Sequence, residues 1–319
     1  MGGYRKQICR NVRRTRGWRL DMTGSRSPET AKTELPWRSP ITVPSWTLSE
    51  VGKRTPLEIY FEQLWQRRHF IIAESRAKVA GGARRNVLGN VWLLLSPLLN
   101  GLGYFFIFGY VLNTSRGIHN FVGYLLIGVF FFQFTMRSVT QGSQAIRNGQ
   151  PMIRAFTFPR ASLPIAVVVR ELMNFVPSFF VMLAIILIFP QPENLTWRVF
   201  LIVPCFAMQV CFAQGCAFIV ARLCHEIPDF TNLIQVASRF WLYASGVFFS
   251  IDRFVGNPVF AAVMKINPMY SYLQIVRNSL LYGVDSPMWM WMLAFGWGIA
   301  FLIFGFLYFY FGEEKYGRA

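Results

Sequence analysis

The stretch NGQPMIRAFTFPRASLP, Asn148 to Pro164, decides how the chain is read. It carries Arg154 and Arg160, is punctuated by Pro151, Pro159 and Pro164, and has strongly apolar runs on both sides. A short, basic, proline-bounded segment in that setting reads as a loop joining two membrane spans. The question it raises is what it touches.

Composition supports a membrane setting. The 319 residues are 54% hydrophobic, 17% aromatic and 15% charged, whereas a soluble domain carries about 25% charged residues. The formal net charge of +17 is unevenly spread, since residues 1–90 hold 18 Lys and Arg against 7 Asp and Glu. A basic third of this kind suits nucleic acid or an anionic membrane face. Apolar runs follow it directly, so the membrane face is the better reading and no nucleic-acid partner is expected.

A helix crossing a bilayer needs about 20 mostly apolar residues. Six runs meet this: Val87–Leu112, Gly117–Met136, Leu163–Phe189, Val199–Ala221, Phe230–Ile251 and Ser286–Gly312. Between the last two lies RFVGNPVFAAVMKINPMYSYLQIVRNSLLYG, apolar but broken by Pro258, Lys265, Pro268 and Arg277. It is too interrupted to cross and reads as a pair of short re-entrant helices, whose backbone needs protein cover at membrane depth. Before the first run, residues 56–86 place Leu57, Phe61, Leu64 and Ile72 near one face and Arg67, Arg68, Glu74 and Lys78 largely elsewhere. That pattern predicts an amphipathic helix lying along the membrane surface. The expected fold is therefore an all-α polytopic membrane protein with six transmembrane helices, an N-terminal interface helix and re-entrant helices between spans five and six.

With both termini inside, the inner flanks hold thirteen Lys and Arg and the outer loops only five, namely Arg116, Arg198, Arg253, Lys265 and Arg277. The positive-inside bias fixes that orientation and puts Asn148–Pro164 in the cytoplasm. The expected parts are a basic, Pro-rich cytoplasmic extension (1–55), the interface helix (56–86), the transmembrane domain (87–312) and a short cytoplasmic tail (313–319). The extension opens with seven basic residues and no acidic one in YRKQICRNVRRTRGWRL. It lacks the apolar core and cleavage site of a secretory signal. A flexible strap, a targeting segment and a later start at Met22 all remain open.

Catalytic signatures are missing. Gly52-Lys53 is followed by Arg54, without the glycine spacing of a phosphate loop, and neither HExxH nor GxSxG occurs. Five cysteines form no CxxC pair and read as small apolar side chains, while His69, His119 and His225 are too dispersed to suggest a metal site. Glu313–Glu314 and Glu226/Asp229 read as capping or solvating helix ends. Within the spans, Arg170–Glu171 reads as a neighbouring pair close to the cytoplasmic edge. Arg239 has three readings: it snorkels, pairs with Glu171 or an interfacial carboxylate, or meets a phosphate in a pathway.

Four stretches in register resemble the ABC-2 permeases that export O-antigen, teichoic acid and other lipid-linked polysaccharides. They are RNVLGNVWLLLSPLL (Arg85–Leu99), MIRAFTFPRASLP, HEIPDFTNLI as a variant of that family's entrance to the fifth span, and INPMYSYLQIVRNSLLYG (Ile266–Gly283). The resemblance covers about residues 57–312. It implies a homodimer in the bacterial inner membrane with two nucleotide-binding ABC subunits that carry the ATP and Mg, no cofactor in this chain, and a polyprenyl-pyrophosphate-linked glycan as cargo. On this resemblance Ile153, Phe156 and Phe158 are apolar anchors and Arg154 and Arg160 charge partners for the ATPase subunit. Arg67, Arg68, Arg84 and Arg85 are candidates to steer the substrate headgroup, or to hold anionic membrane lipids. Trp92, Tyr104, Phe105, Arg239, Trp241, Tyr243 and Phe249 are candidates for the translocation path. The Trp/Pro-rich extension resembles actinobacterial cell-wall galactan exporters. A drug or small-lipid exporter of the same fold, and a membrane-embedded glycan or acyl transferase, are the alternatives.

Overall fold

The computed structural model describes residues 56–84, 91–111, 120–156, 158–188, 197–250 and 258–317, all within the unit Val51–Ala319. Among these residues every regular element is helical. The helices are α1 (Leu57–Gln66), α2 (Arg68–Arg84), α3 (Val91–Tyr104), α4 (Phe121–Gly142), α5 (Ala145–Ala155), α6 (Ser162–Ile188), α7 (Ile202–Glu226), α8 (Phe230–Ala244), α9 (Pro258–Ile266), α10 (Pro268–Arg277) and α11 (Met288–Phe311).

Four of these are long and apolar enough to cross a membrane: α4, α6, α7 with its preceding 3-10 turn from Trp197, and α11. They correspond to the second, third, fourth and sixth expected spans. The other two expected spans are shorter as α-helix. The first is 14 residues of α3 continued by π-helical turns over Phe105–Val111. The fifth is the 15 residues of α8, and at 1.5 Å per residue that falls short of a bilayer core about 30 Å thick. Apolarity continues to Ile251, but the helix stops because Gly246 turns into the left-handed region at φ 64°. The expected interface helix also divides at Arg67 into α1 and α2. Ile71 and Ser75 form the buried side of α2, and the Ser75 hydroxyl donates to the Ala166 carbonyl of α6 at 2.8 Å.

Helix α4 is the centre of the fold. Its membrane-length window is 83% buried within the chain, against 22% for α11, which leaves most of its apolar surface facing outward. The start of α4 is set by Asn120, whose side chain accepts the Gly123 N–H at 2.8 Å and so satisfies one orphan donor of the first turn. Around α4 the core is aromatic. Phe131 meets Phe175 edge-on at 5.2 Å and Phe206 at 5.7 Å, while Phe175 and Phe206 stack at 4.6 Å. Such pairs contribute about 0.5–1.5 kcal/mol each beyond area burial.

The α7–α11 contact is backbone on backbone. A Cβ on Gly215 would fall 2.2 Å from the Phe301 carbonyl oxygen, and one on Gly305 would fall 2.3 Å from that of Gly215. Helices in a bilayer gain little from apolar contact alone, since lipid is equally apolar, so close approach at small residues drives their association.

The sequence placed Arg277 in an outer loop; the fold places it in the interior, with no exposed surface. Its guanidinium donates to the carbonyls of Gly246 (3.0 Å), Tyr124 (3.2 Å) and Val247 (3.2 Å) and lies 3.3 Å over the Tyr124 ring. The reason is the broken end of α8: the turn after Ala244 presents carbonyls that no helix satisfies, and the five donors of arginine reach several at once. Asn267 performs a related task. It caps α10 by accepting the Met269 N–H, accepts the Trp241 indole N–H at 3.0 Å, and donates to Ala244 O and Ser245 Oγ at 3.1 Å each.

Candidate functional site

Among its described residues, the Asn148–Pro164 stretch folds as the end of α5, a non-helical passage through Phe158 and Pro159, a turn at Arg160 and Ala161, and the start of α6. Pro151 lies inside α5, Pro159 is buried in the non-helical passage, and Pro164 sits at the third position of α6, where an N–H has no helical partner anyway. The prolines thus stiffen a short arm between two helices. The arm is mounted on its own protein at both ends. Ala145 and Leu163 are buried in one cluster, against which Met152, Ile153 and Phe158 pack, and Phe158 lies 6.3 Å from the Phe70 ring of α2.

Between those mounts Arg154, Ala155 and Phe156 are exposed among the described residues; Phe156 is 69% accessible, and the Arg154 Nη2 donates to Gln150 Oε1 at 3.3 Å. Of the three apolar anchors expected from sequence, Phe156 projects outward, while Ile153 and Phe158 are half-buried in the mount. Arg160 turns back into the chain. Its backbone N–H donates to Glu313 Oε1 at 3.0 Å and its guanidinium donates to the Glu313 carbonyl. Glu313, read from sequence as a helix-end cap or solvated carboxylate, is instead a bonding partner 153 residues away.

A third element joins at the same point. The Tyr60 hydroxyl of α1 accepts the Ala161 N–H at 3.1 Å, one residue along from the Arg160 N–H that the Glu313 carboxylate binds. Tyr60 is 2% exposed and meets Tyr310 edge-on at 5.3 Å and Phe306 at 6.1 Å. The turn Glu313–Gly317 is itself folded back, with Tyr316 1% exposed against Phe309 and His225. Arg222 adds a bond from its guanidinium to the Tyr308 carbonyl and a stacking contact 4.1 Å from that ring.

Burial raises the Glu313 carboxyl above its ordinary range, opposed by the bond from the Arg160 N–H, by the nearby Tyr60 hydroxyl and by the Arg160 charge. A carboxyl with a raised folded-state pKa favours the fold most below its unfolded value, and that contribution is lost as pH rises through the folded one. The neutral variant Glu313→Gln should therefore gain melting temperature relative to wild type as pH rises above the ordinary carboxylate range. A difference that stays flat as pH rises would show that the carboxyl is not raised.

The remaining candidates divide. Arg67 is exposed at the α1–α2 break, and Arg68 lies 4.9 Å over the Trp65 ring. Arg85 and the side chain of Arg84 lie outside the described residues, as does the Tyr104 side chain. Trp92 and Phe105 are exposed on the α3 segment. On α8, Arg239 and Tyr243 are exposed one turn apart, and Asn232 and Gln235 extend that polar stripe. Trp241 points the other way, against Phe132 and Phe212, and Phe249 is half-buried, its carbonyl accepting from the Tyr124 hydroxyl at 2.8 Å. Glu171 is buried and paired with its neighbour Arg170 at 3.2 Å, as the sequence suggested. It also lines a cleft between α4 and α6 with Gln133, Arg137, Asn174 and Ser178.

Membrane-length helices around a buried aromatic core, with a stiff basic arm mounted at one end, define a polytopic helical membrane protein. The chain belongs to the ABC-2 type transporter family, whose sequence profile matches residues 78–281. It is 26% identical over 211 residues to the O-antigen export system permease protein RfbA of Myxococcus xanthus, covering 66% of this chain and 80% of that protein. To a protein of the same name from Klebsiella pneumoniae it is 24% identical over 202 residues, covering 63% and 76%.

Proposed function

We propose that this chain is the permease subunit of an ATP-driven exporter that moves a polyprenyl-pyrophosphate-linked polysaccharide out of the cytoplasm. Relatives named for O-antigen export support the polysaccharide class. The Trp/Pro-rich extension favours a cell-wall galactan as the glycan. The chain works as a homodimer in the inner membrane, with both termini cytoplasmic and six spans per protomer. In that arrangement α3 and α8 are the spans of reduced α-helical length and α9–α10 the re-entrant pair. Two nucleotide-binding subunits supply ATP hydrolysis.

The observation that carries the reading is Phe156: a large aromatic held outward at the tip of a proline-stiffened arm whose Met152, Ile153 and Phe158 pack inward. An exposed aromatic beside an arginine on a rigid mount has the composition of an interface anchor. On the path, the exposed α8 stripe of Asn232, Gln235, Arg239 and Tyr243 offers an amide, guanidinium and aromatic surface suited to sliding sugars and a passing pyrophosphate. Exposed Arg67 and Arg68 draw the headgroup to the entrance.

The test is co-purification with the cognate ATPase. Phe156→Asp combined with Arg154→Glu should reduce the recovered ATPase subunit at least tenfold, equivalent to about 1.4 kcal/mol of binding, while the permease elutes as wild type. Arg160 is excluded from that variant because it is engaged internally. An undiminished complex would remove the docking assignment.

A further inference from the structure

Three parts of the chain meet at Glu313: the end of the 148–164 arm, helix α1, and the end of α11. Each is joined by a bond specific to it. The arm contributes the Arg160 N–H to the carboxylate and the Arg160 guanidinium to the Glu313 carbonyl. Helix α1 contributes the Tyr60 hydroxyl, which accepts the arm's Ala161 N–H at 3.1 Å beside the Arg160–Glu313 bond and packs in one cluster with Tyr310 and Tyr316. Helix α11 contributes Glu313 itself through the Glu313–Gly317 turn, held by Tyr316 against Phe309 and by the Arg222 bond to the Tyr308 carbonyl. Around the knot is a closed apolar cluster of Tyr60, Ile146, Ala161, Phe218, Phe309, Tyr310 and Tyr316.

A packed, hydrogen-bonded junction of this kind moves as a unit, because separating any two members breaks a part-buried or buried hydrogen bond and opens the cluster around it. The arm's outer tip is free to be pushed, while its inner end has no slack relative to α1 or α11. We infer that Glu313 is a positioning residue that transmits displacement of the arm to α1 and α11, so that a load applied at Phe156 moves helices bordering the membrane domain. This rests on the docking role proposed for the arm. Glu313 lies beyond the 78–281 match that defines the family, and its role comes from the geometry of this chain.

The experiment uses the full permease–ATPase complex and three variants: Glu313→Ala, Glu313→Gln and Tyr60→Phe. Complex recovery, ATP hydrolysis and export of the lipid-linked glycan are measured on each. With the acceptor deleted, Glu313→Ala should retain complex and hydrolysis within about twofold and lose export at least tenfold. Gln keeps a carbonyl oxygen for the Arg160 N–H, so Glu313→Gln should restore export to within about threefold of wild type. Tyr60→Phe, which cuts the link to α1 alone, should lower export with hydrolysis unchanged. A merely structural role would lower all three readouts together, tracking loss of folded protein, and that result overturns the inference. Unchanged export in Glu313→Ala overturns it as well. If Glu313→Ala does not fold, the Gln and Phe variants decide by the same split between hydrolysis and export. Failure of the docking reading is distinct: it appears as an intact complex in the Phe156/Arg154 variant.

Discussion

Replacing Gly215 with alanine lowers the melting temperature of the purified protein far more than replacing Gly296, although both exchanges add one methyl group to a membrane-length helix. At Gly215 the new Cβ would lie 2.2 Å from the Phe301 oxygen, 2.3 Å from the Phe301 carbonyl carbon and 2.6 Å from the Leu302 nitrogen. All three are backbone atoms, so no rotamer change relieves the clash. Carbon–oxygen contacts of this type settle at about 3.3 Å, so α7 and α11 must separate by roughly 1 Å along their contact. That separation also opens the Gly305–Gly215 approach and the one between Gly298 and the Met208 carbonyl, because the two helices are rigid. Overpacking a well-filled core costs about 1–3 kcal/mol, and a contact that must part along a whole helix pair belongs at or above the upper end. A Cβ on Gly296 would meet nothing within 4 Å, which makes that position the matched control. Fluorescence-detected melting in detergent reads both, with Gly215→Leu expected to give no monodisperse protein. Equal melting temperatures for Gly215→Ala and Gly296→Ala would contradict the packing account.

Arg277→Met should be the second severe variant. The side chain is fully buried and its guanidinium holds three carbonyls, two of them in the turn that ends α8. Methionine fills a similar volume but donates nothing, so the Val247 carbonyl loses its donor, while Gly246 O keeps only the Tyr124 hydroxyl at 2.9 Å and Tyr124 O only its helical N–H. At about 1–3 kcal/mol for an orphaned buried acceptor, the loss is about that much at Val247, and the weakened bonding at Gly246 and Tyr124 adds to it. Lysine should rescue only in part, because a single ammonium cannot span all three acceptors or lie flat on the Tyr124 ring. Gly128 follows the same logic: its Cβ would sit 2.8 Å from Arg277 Nη2 and 2.9 Å from Val247. The check is thermal melting, with protease accessibility of the Ser245–Ser250 turn as the local readout. If Arg277→Met melts at or above the wild-type temperature, the arginine is held at a cost to stability and is not the pin that secures this turn, since buried charges are sometimes retained in that way.

Local information was the most legible in the sequence. Apolar length placed α4, α6, α7 and α11 to within about six residues at each end, even across the Arg170–Glu171 pair of α6, because the requirement to bury backbone in hydrocarbon acts on each helix separately. The Arg170–Glu171 pair was legible for the same reason, being adjacent in the chain. The 148–164 arm announced its ends through its prolines. Hydropathy failed at α8, where the apolar run continues to Ile251 but the helix ends at Ala244, since the turn depends on Gly246 and on a guanidinium from α10. It failed at Arg277, which looks like an outer-loop cation until its acceptors are known. Glu313 read only as a helix-end carboxylate, because a Glu-Glu pair after an apolar helix is an ordinary terminus in sequence terms.

By itself, then, the sequence determined the class of protein: an all-helical membrane chain with a basic, proline-bounded arm, properties of composition and spacing along one strand. Only the tertiary structure decided which of its charged groups are structural and which face outward. Arg277 and Tyr124 are 153 residues apart, as are Arg160 and Glu313. A hydrogen bond over that separation depends on how helices pack in three dimensions, and helix packing here is set by backbone contacts at glycines whose partners no local pattern names.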